Sequence, residues 1–136
     1  MNCFRSCHKM VLDQNMGQIF VLGRYLERGL RECQTNTRSD LYVYDIGADK
    51  WTQITDDTSA MGGPNLIFDH QMCLDSEKRD IYVFGGQILP PQTPDEERPL
   101  IVDKRFSGLY VYHIPNNSWT LLCDDGEVRI LHVVSS

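Results

Sequence analysis

The chain repeats itself at long range. His8-Lys9-Met10-Val11-Leu12-Asp13 returns 62 residues later as His70-Gln71-Met72-Cys73-Leu74-Asp75, and Gln18-Ile19-Phe20-Val21-Leu22-Gly23 returns at the same offset as Asp80-Ile81-Tyr82-Val83-Phe84-Gly85. Asp40-Leu41-Tyr42-Val43-Tyr44-Asp45-Ile46 matches Gly108-Leu109-Tyr110-Val111-Tyr112-His113-Ile114, and Trp51-Thr52 matches Trp119-Thr120, now 68 residues apart. The second copy has therefore gained 6 residues, 68 minus 62, between Gly85 and Leu109. A period of this length marks one supersecondary unit used twice, and such a unit buries its apolar face only against a neighbour.

Each copy holds four short segments rich in β-branched and aromatic residues, separated by turn formers, which predicts four strands per copy. They fall at 8–13, 19–22, 41–45 and 51–54, and again at 70–75, 81–84, 109–113 and 119–122. Alternation places His8, Met10 and Leu12 on one face of the first strand. Ile19 to Leu22 is a continuous apolar run, as in a strand buried on both faces, and it stops at Gly23. Asp13 to Gly17 and Gly47-Ala48-Asp49 supply turns. The expected fold class is all-β, with repeat units at 5–55 and 67–123 and a tail at 124–136 to which no element is assigned.

At 136 residues and 15.7 kDa the chain has the length of one ordinary domain, and 41% hydrophobic with 24% charged residues is a globular balance. Thirteen Lys and Arg against nineteen Asp and Glu give a net charge of −6 and a pI near 5.0, which argues against nucleic acid and anionic membrane surfaces as partners. The first nine residues lack the apolar core of a secretory signal, and no apolar run is long enough to insert in a membrane. A cytoplasmic location is expected, with the nucleus as an alternative. The five cysteines, Cys3, Cys7, Cys33, Cys73 and Cys123, are odd in number, irregular in spacing and without a Cys-x-x-Cys pair, so reduced thiols are expected.

Ile81-Tyr82-Val83-Phe84-Gly85-Gly86, then Leu109-Tyr110-Val111-Tyr112, then Trp119 together resemble the kelch repeat, a blade of a β-propeller. Phe68 to Lys78 and Leu22 to Leu26 are similar to the kelch region of the muskelin family. The resemblance implies two four-stranded antiparallel kelch blades of an incomplete propeller, in a fragment or truncated isoform, since two blades cannot close a ring and leave an apolar face uncovered. It also implies an interaction scaffold or adaptor in cell spreading, adhesion responses, cytoskeletal organisation and the CTLH ubiquitin-ligase assembly. The implied partners are other proteins reached through inter-strand loops, among them a full-length muskelin-like protein or CTLH subunits. The implied framework is His8, Gly23, Tyr42, Tyr44, Trp51, His70, Gly85, Gly86, Tyr110, Tyr112 and Trp119. One departure stands out. The first copy has Gly23-Arg24 where the pattern has Gly-Gly, so either the turn differs or Arg24 has a specific task.

The recurring His8…Asp13 and His70…Asp75 pairs read as framework, because catalysis needs one site and not one per repeat. Packed, hydrogen-bonded histidines and turn-opening aspartates are expected. Asp56-Asp57 and Asp124-Asp125 read as solvated turns, with no calcium loop around them. The tyrosines and tryptophans are expected in packing, and Cys73 as a buried hydrophobe. Cys3-x-x-x-Cys7-His8 is not taken as a metal site. No Gly-x-Ser-x-Gly, Walker loop or His-Glu-x-x-His is present, so no enzyme activity, cofactor or metal is expected.

What rises above the framework is the loop between the second and third strands of each copy. Residues 24–39 carry Arg24, Arg28, Arg31 and Arg38 against Glu27 and Glu32, a balance of +2. Residues 87–107 carry Arg98, Lys104 and Arg105 against Asp95, Glu96, Glu97 and Asp103, a balance of −1. Long loops on rigid scaffolds carry recognition, which makes Arg24, Tyr25, Arg28, Arg31, Arg38, Gln87, Arg98, Lys104 and Arg105 the candidate partner-binding residues. Pro90, Pro91, Pro94 and Pro99 allow the second loop an extended, polyproline-like stretch. The alternatives are a propeller enzyme of galactose-oxidase type, and a short form that modulates a full-length protein through exposed blade edges.

Overall fold

A computed structural model describes residues 5–26, 30, 37–88, 104–105 and 108–123. Among these the chain is all-β with antiparallel sheets and almost no helix, with a 3-10 turn at Thr58–Met61. The first repeat forms β1 (Lys9–Asp13), β2 (Gln18–Leu22), β3 (Leu41–Asp45) and β4 (Lys50–Thr55), hydrogen-bonded in sequence order. After β5 (Ile67–Phe68), the second repeat forms β6 (Gln71–Asp75), β7 (Asp80–Phe84), β10 (Leu109–His113) and β11 (Ser118–Cys123), in the order β11-β10-β7-β6. β8 (Gln87–Ile88) and β9 (Lys104–Arg105) join β5 in a small third sheet that the repeat does not announce. Tail residues 124–136 lie outside the described residues.

The turns explain the repeat chemistry. Asp13 Oδ1 accepts from the Met16 amide (3.3 Å), Asp45 Oδ1 from Ala48 (3.0 Å) and Asp75 Oδ1 from Glu77 (3.1 Å), so the aspartates that end strands do cap turns. Each turn then passes through a left-handed residue: Gly17 (φ 64°) and Arg79 (φ 56°) in one pair of equivalents, Asp49 (φ 51°) and Asn117 (φ 48°) in the other. Tyr44 donates its hydroxyl to Asp49, and Tyr112 does the same to Asn117 at 2.7 Å.

Register fixes the faces. Val11 pairs with Phe20, Phe20 with Val43, Leu22 with Leu41. This face of the first sheet packs on Ile81, Val83, Tyr112 and Trp119 of the second, with Met72, Leu74 and Tyr110 beside them, to form one core. A polar tie fastens the joint: Arg79 donates from Nε to Asp13 Oδ2 (3.1 Å) and from Nη2 to Gln18 Oε1 (2.9 Å). The connection between sheets is pinned by Thr58, which is fully buried. Its amide donates to the Ser39 carbonyl (2.6 Å) and its hydroxyl to the Pro64 carbonyl (2.6 Å).

Three sequence expectations are corrected. Trp51 is not core: it is 39% exposed, against 9% for its equivalent Trp119, because no described residue covers the far face of the first sheet as that sheet covers Trp119. Cys73 is exposed, because it lies on the outer face of the second sheet, at the position that Val11 holds in the joint. His70 is packed as expected, at 0% exposure, but neither ring nitrogen makes a hydrogen bond of good geometry among the described residues, with the Leu22 backbone as a polar neighbour, and His8 Nδ1 has no partner among them.

Candidate functional site

The backbone brings the described bases of the two long loops together at one end of the sheets. Arg24 donates its amide to the Ile67 carbonyl (3.1 Å) at β5, and β5 pairs with β8, Phe68 opposite Gln87. β8 in turn pairs with β9, Gln87 opposite Arg105 and Ile88 opposite Lys104. Tyr25 donates its amide to Ser6 O (2.9 Å) and sets its ring edge-on to Phe68 at 5.1 Å, while Leu26 packs on Phe68 and Leu66. The start of the 24–39 loop and the start of the 87–107 loop thus meet on β5, and the end of the 87–107 loop joins the same sheet one strand further out.

Charge is organised around Asp40. Its Oδ2 lies 2.7 Å from Arg5 Nη2 and 3.0 Å from Arg24 Nη1, with all three side chains nearly buried. Arg5 also donates to the Gly23 carbonyl (3.1 Å) and lies 5.2 Å from the Tyr42 ring centroid, a cation–π distance. Arg24 donates to the Arg38 carbonyl at 3.3 Å, and Arg38 reaches out to Asp56 at 3.1 Å, an exposed pair. The loop base is therefore held by cations arranged on one buried carboxylate, with Arg38 at its solvent edge.

The sequence candidates divide accordingly. Arg24 is committed to Asp40 and the loop base. Arg24 is not among the residues with positive φ, so both halves of its expectation apply: the turn differs from the Gly-Gly turn of Gly85 and Gly86, and Arg24 has a specific task. Tyr25, Arg38 and Gln87 are exposed at this end. Lys104 and Arg105 belong to β9, and Arg28, Arg31, Arg98 and the proline stretch lie outside the described residues. Arg5, Asp40 and Phe68 are not among the sequence candidates. Asp40 does carry a signal, since it stands where the second copy has Gly108, just as Arg24 stands where the second copy has Gly86. The two departures from the repeat are ion-paired with each other.

At the same end His70 is buried between glycines. A Cβ on Gly23 would come within 2.4 Å of His70 Cε1, and one on Gly86 within 2.9 Å of His70 Cβ. Burial, with Lys9 adding to it, pushes the His70 pKa down to about 4, so the ring is neutral at physiological pH. Among the described residues no group of three or more His, Cys, Asp or Glu could hold a metal ion, and no helix is long and apolar enough to cross a membrane. A small cavity of about 30 Å³ between Pro64, Asn65, Ile67, Ile88 and Tyr110 has room for about one water.

No family model matches the chain. Over 129 residues it is 36% identical to Mei4-dependent protein 6 of Schizosaccharomyces pombe (strain 972 / ATCC 24843), a match that covers 94% of this chain and 17% of that protein's length. This overturns the muskelin resemblance and the kelch and ubiquitin-ligase assignments that rested on it. The match runs to a relative that carries none of those names.

Proposed function

We propose that the chain is a protein-interaction module rather than an enzyme: two blade-type units of an incomplete β-propeller that work in the cytoplasm and present one loop-built surface to a partner protein. The observation that supports it is the convergence of both long loops on β5. Two loops that leave separate repeats, differ most between copies and carry local charges of +2 and −1 have their bases on one three-stranded platform. A rigid double sheet with variable loops gathered at one end is the arrangement that recognition surfaces use. Tyr25, Arg38 and Gln87 form its described rim, an exposed aromatic with a cation and an amide beside it.

The test replaces 27–36 and 89–103 separately with Gly-Ser linkers of equal length, which keeps Arg24, Asp40, β8 and β9. Captured proteins are then compared with wild type by quantitative mass spectrometry. Both replacements are expected to keep the far-UV circular dichroism of the wild type and to lose the same captured proteins. Replacements that fold and lose none, or lose unrelated sets, argue against a single loop surface.

A further inference from the structure

Among the described residues one joint between sheets is packed, and the two outer faces are only partly covered. Inside the joint the second sheet presents Met72, Leu74, Ile81, Val83, Tyr112 and Trp119. The equivalent positions of the first sheet hold Met10, Leu12, Ile19, Val21, Tyr44 and Trp51, and the rings are set alike. Tyr44 and Trp51 lie 4.9 Å apart at 43°, Tyr112 and Trp119 5.0 Å apart at 41°. Val21 is buried there and Ile19 and Tyr44 half-buried, but Met10, Leu12 and Trp51 are 55%, 47% and 39% exposed. The complementary half of the joint is built on Val11, Phe20, Leu22, Val43 and Ile54. On the outer face of the second sheet those positions are Cys73, Tyr82, Phe84, Val111 and Leu122, of which Val111 is buried and Phe84 and Leu122 are 43% and 44% exposed.

We infer that a second copy of this chain docks head-to-tail, the outer face of its second sheet on the Trp51 face of the first, repeating between molecules the joint that exists within one. One chain carries both surfaces, and each matches, position for position, a surface that the fold already packs against the other kind. A contact of this kind is heterologous, so copies add in one direction and form a row or a ring. It lacks one thing that the internal joint has. Arg79 holds Asp13 and Gln18 within the chain, but between copies its equivalent is Gly17, which faces Asp75 and Asp80 of the neighbour. Gly17 shares the left-handed backbone of Arg79, φ 64° against 56°, and a Cβ there meets nothing within 4 Å. Arginine therefore fits at position 17 and supplies the missing tie, with Asp75 in the place of Asp13 and Asp80, already paired with His113 at 2.8 Å, in the place of Gln18. The contact uses sheet faces and not the loop end, so it stands or falls separately from the partner surface proposed above.

Sedimentation velocity over a concentration series of the whole chain tests it. Wild type is expected to associate reversibly. Trp51→Asp and Phe84→Asp are each expected to stay monomeric, while their equimolar mixture forms pairs that stop at two, because each variant keeps the face the other has lost. Gly17→Arg is expected to tighten association by about ten-fold, and Asp75→Asn in that background to remove the gain. A wild type that stays monomeric leaves these faces to some other occupant and overturns the proposal. So does a mixture that fails to pair although both variants keep wild-type circular dichroism, or a Gly17→Arg chain that folds and associates no better than wild type.

Discussion

Trp119 lies under the first sheet, and a Cβ placed on Gly63 would come within 2.7 Å of its indole. Trp51 has the same two tyrosine neighbours but stands 39% exposed. The difference is one of cover and not of local structure, so truncation separates the two. Trp119→Ala removes a ring from a packed core and is expected to cost about 3–5 kcal/mol. Trp51→Ala loses partial contacts with Tyr42 and Tyr44 and is expected to cost about 1 kcal/mol. Urea unfolding followed by far-UV circular dichroism, at concentrations low enough to keep copies apart, gives both numbers. Equal costs would mean that the two rings share one environment.

At the scale of the strand, the ends of β2 and β7 enclose His70 where Gly23 and Gly86 let the backbone close over the ring. Burial is the main cause of the low value; the charges of Lys9 and His8 also oppose protonation, while the Leu22 backbone and Asp69 favour it. The folded ring titrates near 4 and an unfolded one near 6.5, so between those values the unfolded chain binds a proton that the folded chain refuses. Stability is therefore fully present above about pH 6.5 and falls as pH drops towards 4, with His70 contributing about 3 kcal/mol of the loss. Subtracting the pH profile of a His70→Gln variant from that of wild type isolates this share; a flat difference between pH 4 and 6.5 would exclude it. The strands themselves were legible, because period-two alternation and the internal repeat both report on local pleating and pairing. β5, β8 and β9 were not, because two-residue strands have no period; β5 sits in the connection between the repeats, and β8 and β9 where a long loop begins and ends. His70 was legible as packed but not as poorly hydrogen-bonded, since sequence shows a face and not what meets it. Arg24 with Asp40, and Arg79 opposite Gly17, were visible only as breaks in the repeat. Side chains that tie one unit to another or to a loop belong at such breaks, whereas shared positions build the unit itself.

For the whole molecule, the decisive question is whether two sheets with one joint behave as one folding unit. The core draws on both: Phe20, Leu22 and Leu41 from the first sheet meet Ile81, Val83, Tyr112 and Trp119 from the second. Asp13 is 1% exposed and depends on Arg79 across the joint. Replacing Arg79 by Met keeps the apolar stem but leaves a buried carboxylate without its cation, at an expected cost of about 2–4 kcal/mol, near the lower part of the usual range because the Arg79 side chain is itself 25% exposed. Adding Asp13→Asn removes the stranded charge and is expected to restore part of that stability, a coupling that a double-mutant cycle reads directly. Because the loss falls on a shared core, thermal transitions followed by far-UV circular dichroism and by tryptophan fluorescence should coincide in wild type and shift together in Arg79→Met. If instead the fluorescence of Trp119 changed at a lower temperature while the strands persisted, the sheets would be separable. The joint would then be a docking contact between two independently stable units and not the core that makes either of them stable.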